Sequence, residues 1–180
     1  MGSLKDIYQN DPEAVVLVGA YPACAEFIKL STIKIDRDVG FYNISFVGTD
    51  SLKQALGAYG KNVVVSQVVP NPEDDSISLI REYKESMRRY QHDAPITFTS
   101  LEGYIAGKLF STIGRSVVGE LTRESFISTM EQVGTFDLGG IVLEFGPDDH
   151  QGLDDTHLTV IYPEIADLEP GTAGPVNRSD

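Results

Sequence analysis

Tryptophan is missing altogether, and cysteine occurs once, at Cys24, in a chain of 180 residues. A single thiol closes no internal disulfide, so burial and hydrogen bonding must hold the fold. On an amphipathic segment such a lone cysteine reads as a small core residue, not a nucleophile. Basic residues are scarce: 14 lysines and arginines stand against 27 acidic residues, a net charge of -13. That field repels phosphate backbones and anionic lipid surfaces, so nucleic acid is not an expected partner. No apolar run approaches the roughly 20 residues that cross a bilayer, and no secretory leader is visible. Met1-Gly2-Ser3 reads as an appended leader outside the fold.

Reactive constellations are lacking as well. His92, His150 and His157 show no metal-binding spacing such as i, i+4 on a helix. Asp148, Asp149, Asp154 and Asp155 crowd one stretch, but the alternating oxygens and closing glutamate of a calcium loop are absent, so a solvated turn is expected. Neither GxGxxG nor GxxxxGK[ST] occurs. Ser45, Ser66 and Ser100 lack the setting of a nucleophile elbow. No catalytic residue, no cofactor and no metal is therefore expected, and the chain is not read as an enzyme.

What is present is an alternation of short β runs and amphipathic segments. Residues 14–18, 41–47 and 62–69 are apolar, β-branched runs ended by Gly19, Gly48 and Pro70, suited to buried parallel strands. Between them, Cys24, Phe27, Ile28 and Ser31 keep helical spacing. So do Leu52, Ala55, Leu56 and Tyr59, with Gly60 as the stop. Strand, helix, strand, helix, strand at these lengths predicts an α/β fold, a parallel sheet with helices on both faces. A helical stretch follows, with Ile77, Ile80, Tyr83, Met87 and Tyr90 on one face. Thr99-Ser100-Leu101-Glu102 reads as a capping box opening a second helix, with Leu101, Ile105, Leu109 and Ile113 inward. Gly103 and Gly107 in that helix cost roughly 1 kcal/mol each against alanine, which predicts close packing at those positions. Thr122 caps a third helix, with Leu121 and Phe126 as a hydrophobic staple and Ile127, Met130 and Val133 on the apolar face. Residues 139–145 and 157–162 are expected to pair as a C-terminal β-hairpin, and residues 166–180 to be disordered by composition.

Four strings, AVVLVGAYPACAEFIK (14–29), FYNISFVGTDSL (41–52), TFTSLEGYIAGKLF (97–110) and LGGIVLEFGPDDHQGLDDTHLTVI (138–161), carry a family likeness in this order and spacing. Together they resemble the extracellular ligand-binding receptors and branched-chain amino acid transporter binding proteins of the type I periplasmic-binding-protein class. The likeness runs from about Leu4 to Ile161 and covers the later half of that family's usual length. It implies a partial two-lobed fold. Residues 4–69 would belong to the second lobe, 70–137 to a helical part of the first lobe, and 138–165 to a hairpin returning to the second. It also implies a periplasmic or extracellular solute-binding protein that captures a small amino-acid-like or amide ligand by closing a cleft. The partner would be an ABC transporter permease or a receptor signalling domain. The alternative is a sensory or protein-interaction domain that keeps the fold without binding a ligand.

Ligands of open parallel sheets bind beyond the carboxyl ends of the strands. Two loops qualify, Ala20-Tyr21-Pro22 and Gly48-Thr49-Asp50. By resemblance, Tyr21 falls where an aromatic ring packs on the ligand and Asp50 where an acid meets its ammonium. The plainer reading makes Asp50 the cap of a helix starting at Ser51. Phe98 is a candidate to face the ligand from the other lobe, the plainer reading being a core residue. The helices around Tyr83, Leu109 and Met130 are expected to leave apolar faces bare, so that the 180-residue chain either self-associates, folds these helices back on its own sheet or is poorly stable.

Overall fold

A computed structural model of the chain describes residues 2–35 and 38–163. The expected disorder of residues 166–180 lies outside the described residues. In chain order the elements are α1 (Gly2–Tyr8), β1 (Ala14–Leu17), α2 (Tyr21–Lys34), β2 (Gly40–Ile44), α3 (Thr49–Leu56), β3 (Val63–Gln67), α4 (Ser78–Tyr90), α5 (Phe98–Ser116), α6 (Arg123–Val133), β4 (Thr135–Asp137), β5 (Val142–Glu144) and β6 (His157–Ile161). Residue 2 already belongs to α1, so the leader read at the start is in part helical. Two compact units result. The first holds the described residues up to Val65 and those from Thr159 on; the second is Ser66–Leu158.

The first unit is built on a four-stranded sheet of order β1-β2-β3-β6. β1 and β2 run parallel, with Val15 opposite Phe41 and Val16 opposite Tyr42. Val15, Phe41, Val63 and Val65 turn to one side and form a core with Cys24, Ala25 and Ile28 of α2, Leu52 and Leu56 of α3, and Ile161 of β6. The Phe27 ring meets Phe41 edge-on at 6.5 Å. Both α2 and α3 pack on this one side, so the described residues put helices on one face of the sheet and not on both as expected. On the opposite face Val16 (70%), Val160 (47%) and Tyr42 (45%) stay exposed.

Local details differ from expectation for identifiable reasons. β2 ends at Ile44, and a 3-10 turn, Ser45–Val47, follows it. Helix α3 stops at Gly57, whose φ is +54°, not at Gly60. Gly60 lies against β6, where a Cβ would come 2.9 Å from the Ile161 Cγ2.

The second unit packs α4, α5 and α6 with a two-stranded sheet. Its core includes Leu79, Ile80 and Tyr83, Leu101, Ile105 and Ile113, Met130, Phe136 and Leu143. Tyr83 and Met130 are therefore buried and Leu109 half-buried, so the bare helical faces expected around them are covered by one another and by the hairpin. The hairpin itself is not the expected pair. β5 pairs antiparallel with β4, Phe136 opposite Leu143, while His157–Ile161 joins the sheet of the first unit beside β3. A tight Asx turn decides this. The Asp137 Oδ1 accepts from the amides of Gly139 and Gly140, both at 2.8 Å. Those residues take φ of +108° and +92°, which glycine tolerates without strain. The Gly139 carbonyl then accepts from the Leu79 amide at 2.9 Å and so closes the start of α4.

The capping box of α5 lies two residues earlier than expected. Thr97 is extended, its hydroxyl accepts from the Ser100 amide at 3.1 Å, and the Ser100 hydroxyl accepts from the Thr97 amide at 3.2 Å. The buried Tyr83 hydroxyl sits 2.5 Å from the Ser100 Oγ, tying this cap to α4. Thr122 caps α6 as expected, in a box with Ser125. Leu121 is exposed, and the ring contact of Phe126 is a stack on Phe110 at 5.1 Å. Gly103 and Gly107 face outward, and a Cβ at either would meet nothing within 4 Å, so close packing does not explain them.

Two predictions follow from these contacts. Gly103→Ala and Gly107→Ala should each raise stability by about 0.5–1 kcal/mol. Thr97→Ala should lower it by about 1 kcal/mol, and Thr99→Ala should change it little. Urea unfolding midpoints measure all four. The second concerns acid. Hydrogen bonds from the Gly140 and then the Gly139 amide hold the Asp137 carboxyl below its usual range. A lowered folded-state value stabilises above the ordinary carboxylate range and is lost as pH falls through it. Asp137→Asn should therefore unfold with a shallower acid dependence than wild type in thermal scans between neutral pH and about pH 2.

Candidate functional site

Parallel pairing of β1 and β2 puts their carboxyl ends at the same edge of the sheet, and the two helices that start there pack against each other. α2 opens with Tyr21 directly beyond the Ala20 cap position, with Pro22 in its first turn, a place proline suits because it lacks the amide hydrogen. No side chain caps this end. Tyr21 is 41% exposed.

α3 starts at Thr49, not Ser51, after Gly48 in the left-handed region at φ +76°, ψ +86°. Thr49 is buried and hydrogen-bonded or in contact with neighbours, whereas Asp50 is exposed in the first turn. No side chain caps α3, so Asp50 is not the helix cap of the plainer reading. Its carboxylate does stand where the helix dipole favours negative charge. The structure thus brings Tyr21, Thr49 and Asp50 to one edge of the first unit. Phe98 is the first residue of α5 in the second unit, half-buried against that unit's core.

One residue at this edge was not singled out from sequence. Phe46, in the 3-10 turn after β2, is an exposed aromatic beside Gly48. It resembled one more alternating strand position; the glycine two residues on was the signal that the strand had already ended. Burial pushes the Cys24 thiol up, which keeps it protonated inside the core. Among the described residues no group of three or more histidine, cysteine, aspartate or glutamate side chains is placed to hold a metal. The acidic loop closes on itself: Asp149 accepts from the Gln151 amide and Asp154 from the Gln151 side chain, both at 2.8 Å.

The sequence pattern of the periplasmic binding proteins matches residues 3–161. The chain belongs to the periplasmic binding protein family. A possible leucine/isoleucine/valine-binding protein from Rhodopirellula baltica is 38% identical, with a TM-score of 0.82 over 88% of this chain and 43% of its own. An extracellular ligand-binding receptor from Verminephrobacter eiseniae shares the fold at 21% identity and a TM-score of 0.76, over 89% of this chain and 45% of its own. The same holds for a branched-chain amino acid transporter substrate-binding protein from Streptococcus pneumoniae, solved in complex with isoleucine, at 12% identity and a TM-score of 0.66, over 88% and 44%. This periplasmic-binding-protein chain thus spans less than half the length of the structures it matches. Among curated proteins none matches.

The edge geometry makes one position critical. Gly48→Ala forces a side chain into the left-handed region and should cost about 1–2 kcal/mol. The loss should appear as a lowered unfolding midpoint, larger than that of Asp50→Asn, which removes only a dipole interaction of about 0.3–1 kcal/mol.

Proposed function

We propose that this chain is the solute-capturing part of a periplasmic or extracellular binding protein that takes a small amino-acid-like or amide ligand and catalyses nothing. Delivery would be to an ABC transporter permease or to a receptor signalling domain. The observation that carries this reading is the convergence of Tyr21, Thr49 and Asp50 beyond the carboxyl ends of two parallel strands, in a chain of this family. Chemistry assigns the roles. The exposed Tyr21 ring offers an apolar face to an aliphatic side chain. Asp50 is an exposed carboxylate that can accept from an ammonium in a charge-assisted hydrogen bond. The aliphatic amino acids in the names of the Rhodopirellula and Streptococcus proteins fit the same two groups. Capture of this kind works through contacts that a closed state makes and an open state does not.

Isothermal titration calorimetry on the natural protein carrying this sequence tests the reading, with a panel of amino acids and their amides. Binding of at least one aliphatic member is expected. Asp50→Asn should weaken it by roughly tenfold or more, as loss of a charged hydrogen bond of about 1.5–3 kcal/mol implies. Silence across the whole panel would instead favour a domain that keeps the fold without a ligand. Equal affinity in both proteins would reduce Asp50 to its place in the helix field.

A further inference from the structure

Most buried polar atoms in a folded protein have a hydrogen-bond partner, and those without a protein partner are commonly served by ordered water. Two hydroxyls of the first unit stand out against that rule. The Tyr8 Oη and the Ser31 Oγ are both buried, and neither has a hydrogen-bond partner among the described residues. Ser31 is only 2% exposed, on the face of α2 that looks into the core. Tyr8 is the last residue of α1, and its ring packs against the same core.

Both side chains line one small pocket, of about 40 Å³, together with Thr32, Asp38, Lys61 and Asn62. The chemistry of that wall is ordered. Thr32 donates its hydroxyl hydrogen to the Ile28 carbonyl at 2.9 Å, so it turns only lone pairs to the pocket. Asp38 is an acceptor, and the Lys61 and Asn62 side chains already donate to its Oδ1, at 3.1 and 2.6 Å. The wall therefore presents two hydroxyls without partners and two acceptors, Thr32 and Asp38, with the Lys61 and Asn62 donors turned to Asp38. Water satisfies that set because it can accept from the first pair and donate to the second. One water needs roughly 10–15 Å³ of such space, and the pocket has room for it.

We propose that this pocket is a structural hydration site, in which an ordered water bridges the Tyr8 and Ser31 hydroxyls and joins α1 to α2. α1 has only seven residues and would be marginal alone. The bridge gives its last residue a polar anchor in addition to the packing of the tyrosine ring. The site lies in the core side of the first unit and is independent of the ligand reading above.

A crystal structure of the protein at high resolution tests this directly. The expected result is a water peak within about 2.6–3.2 Å of both the Tyr8 Oη and the Ser31 Oγ. Hydroxyls paired directly with protein atoms, or a pocket without a bridging peak, would overturn it. Tyr8→Phe, Ser31→Ala and the double variant give a second readout by urea unfolding. A shared water makes the losses non-additive, the double variant's midpoint falling little below that of the worse single one. Additive losses would count against a bridge.

Discussion

Two parallel strands cannot be joined by a tight turn; the chain must cross the sheet and return before it can lie beside itself in the same direction. That constraint generates most of the first unit. The crossovers are α2 and α3, and each must begin where its strand ends, so both helices start at the same sheet edge. The residues proposed above for the ligand, Tyr21, Thr49 and Asp50, lie at this edge because of the pairing geometry. The arrangement holds only as firmly as the packing under it. Ile28, Leu52, Leu56, Val63 and Val65 are fully or almost fully buried between helices and sheet, and each is worth roughly 1.5–3 kcal/mol.

The second unit has no such sheet to organise it and relies on helix ends. Tyr83 brings its hydroxyl to the capping box of α5, so the start of one helix is fastened to the middle of another. The turn of the β4–β5 hairpin supplies a carbonyl to the start of α4. Lys108 of α5 adds a bridge, pairing with Glu82 and donating to the Leu138 carbonyl at 2.9 Å. Each link satisfies a helix-end group or a turn carbonyl that would otherwise need water.

Much of the first unit was legible because two periods alternate there. β1, β2 and β3 read as short apolar runs, and α2 and α3 as 3.6-residue patterns, with errors of a few residues at their ends. The rule that ligands meet parallel sheets beyond the carboxyl ends pointed to the two loops that hold Tyr21, Thr49 and Asp50, and the family resemblance to Tyr21 and Asp50 within them. What was not legible had too little pattern. β4 is three residues, Thr135-Phe136-Asp137, too short to show a period, so β5 was assigned the wrong partner. Thr97-Phe98-Thr99-Ser100 holds two nested candidates for a cap, and only the buried Tyr83 hydroxyl selects the earlier one. Phe98 carried two readings because helix-start aromatics are ambiguous; in the structure it is half-buried against the second unit's core.

The bare apolar faces expected on the helices are covered, and the exposed apolar residues lie on the sheet instead. Helices can turn their apolar stripes toward one another, and α4, α5 and α6 do so around Tyr83, Ile105 and Met130 with the hairpin closing the side. A sheet has no such freedom, because its two faces are fixed by strand alternation. In Ala14-Val15-Val16-Leu17, Val15 enters the core and Val16 must point the other way. α2 and α3 both pack on the core face, so Val16, Tyr42 and Val160 on the other face stay exposed. Strands apolar on both sides are the mark of parallel sheets covered on both sides. The valines of β1 and β6 are written for such a sheet, and the described residues cover one side of it.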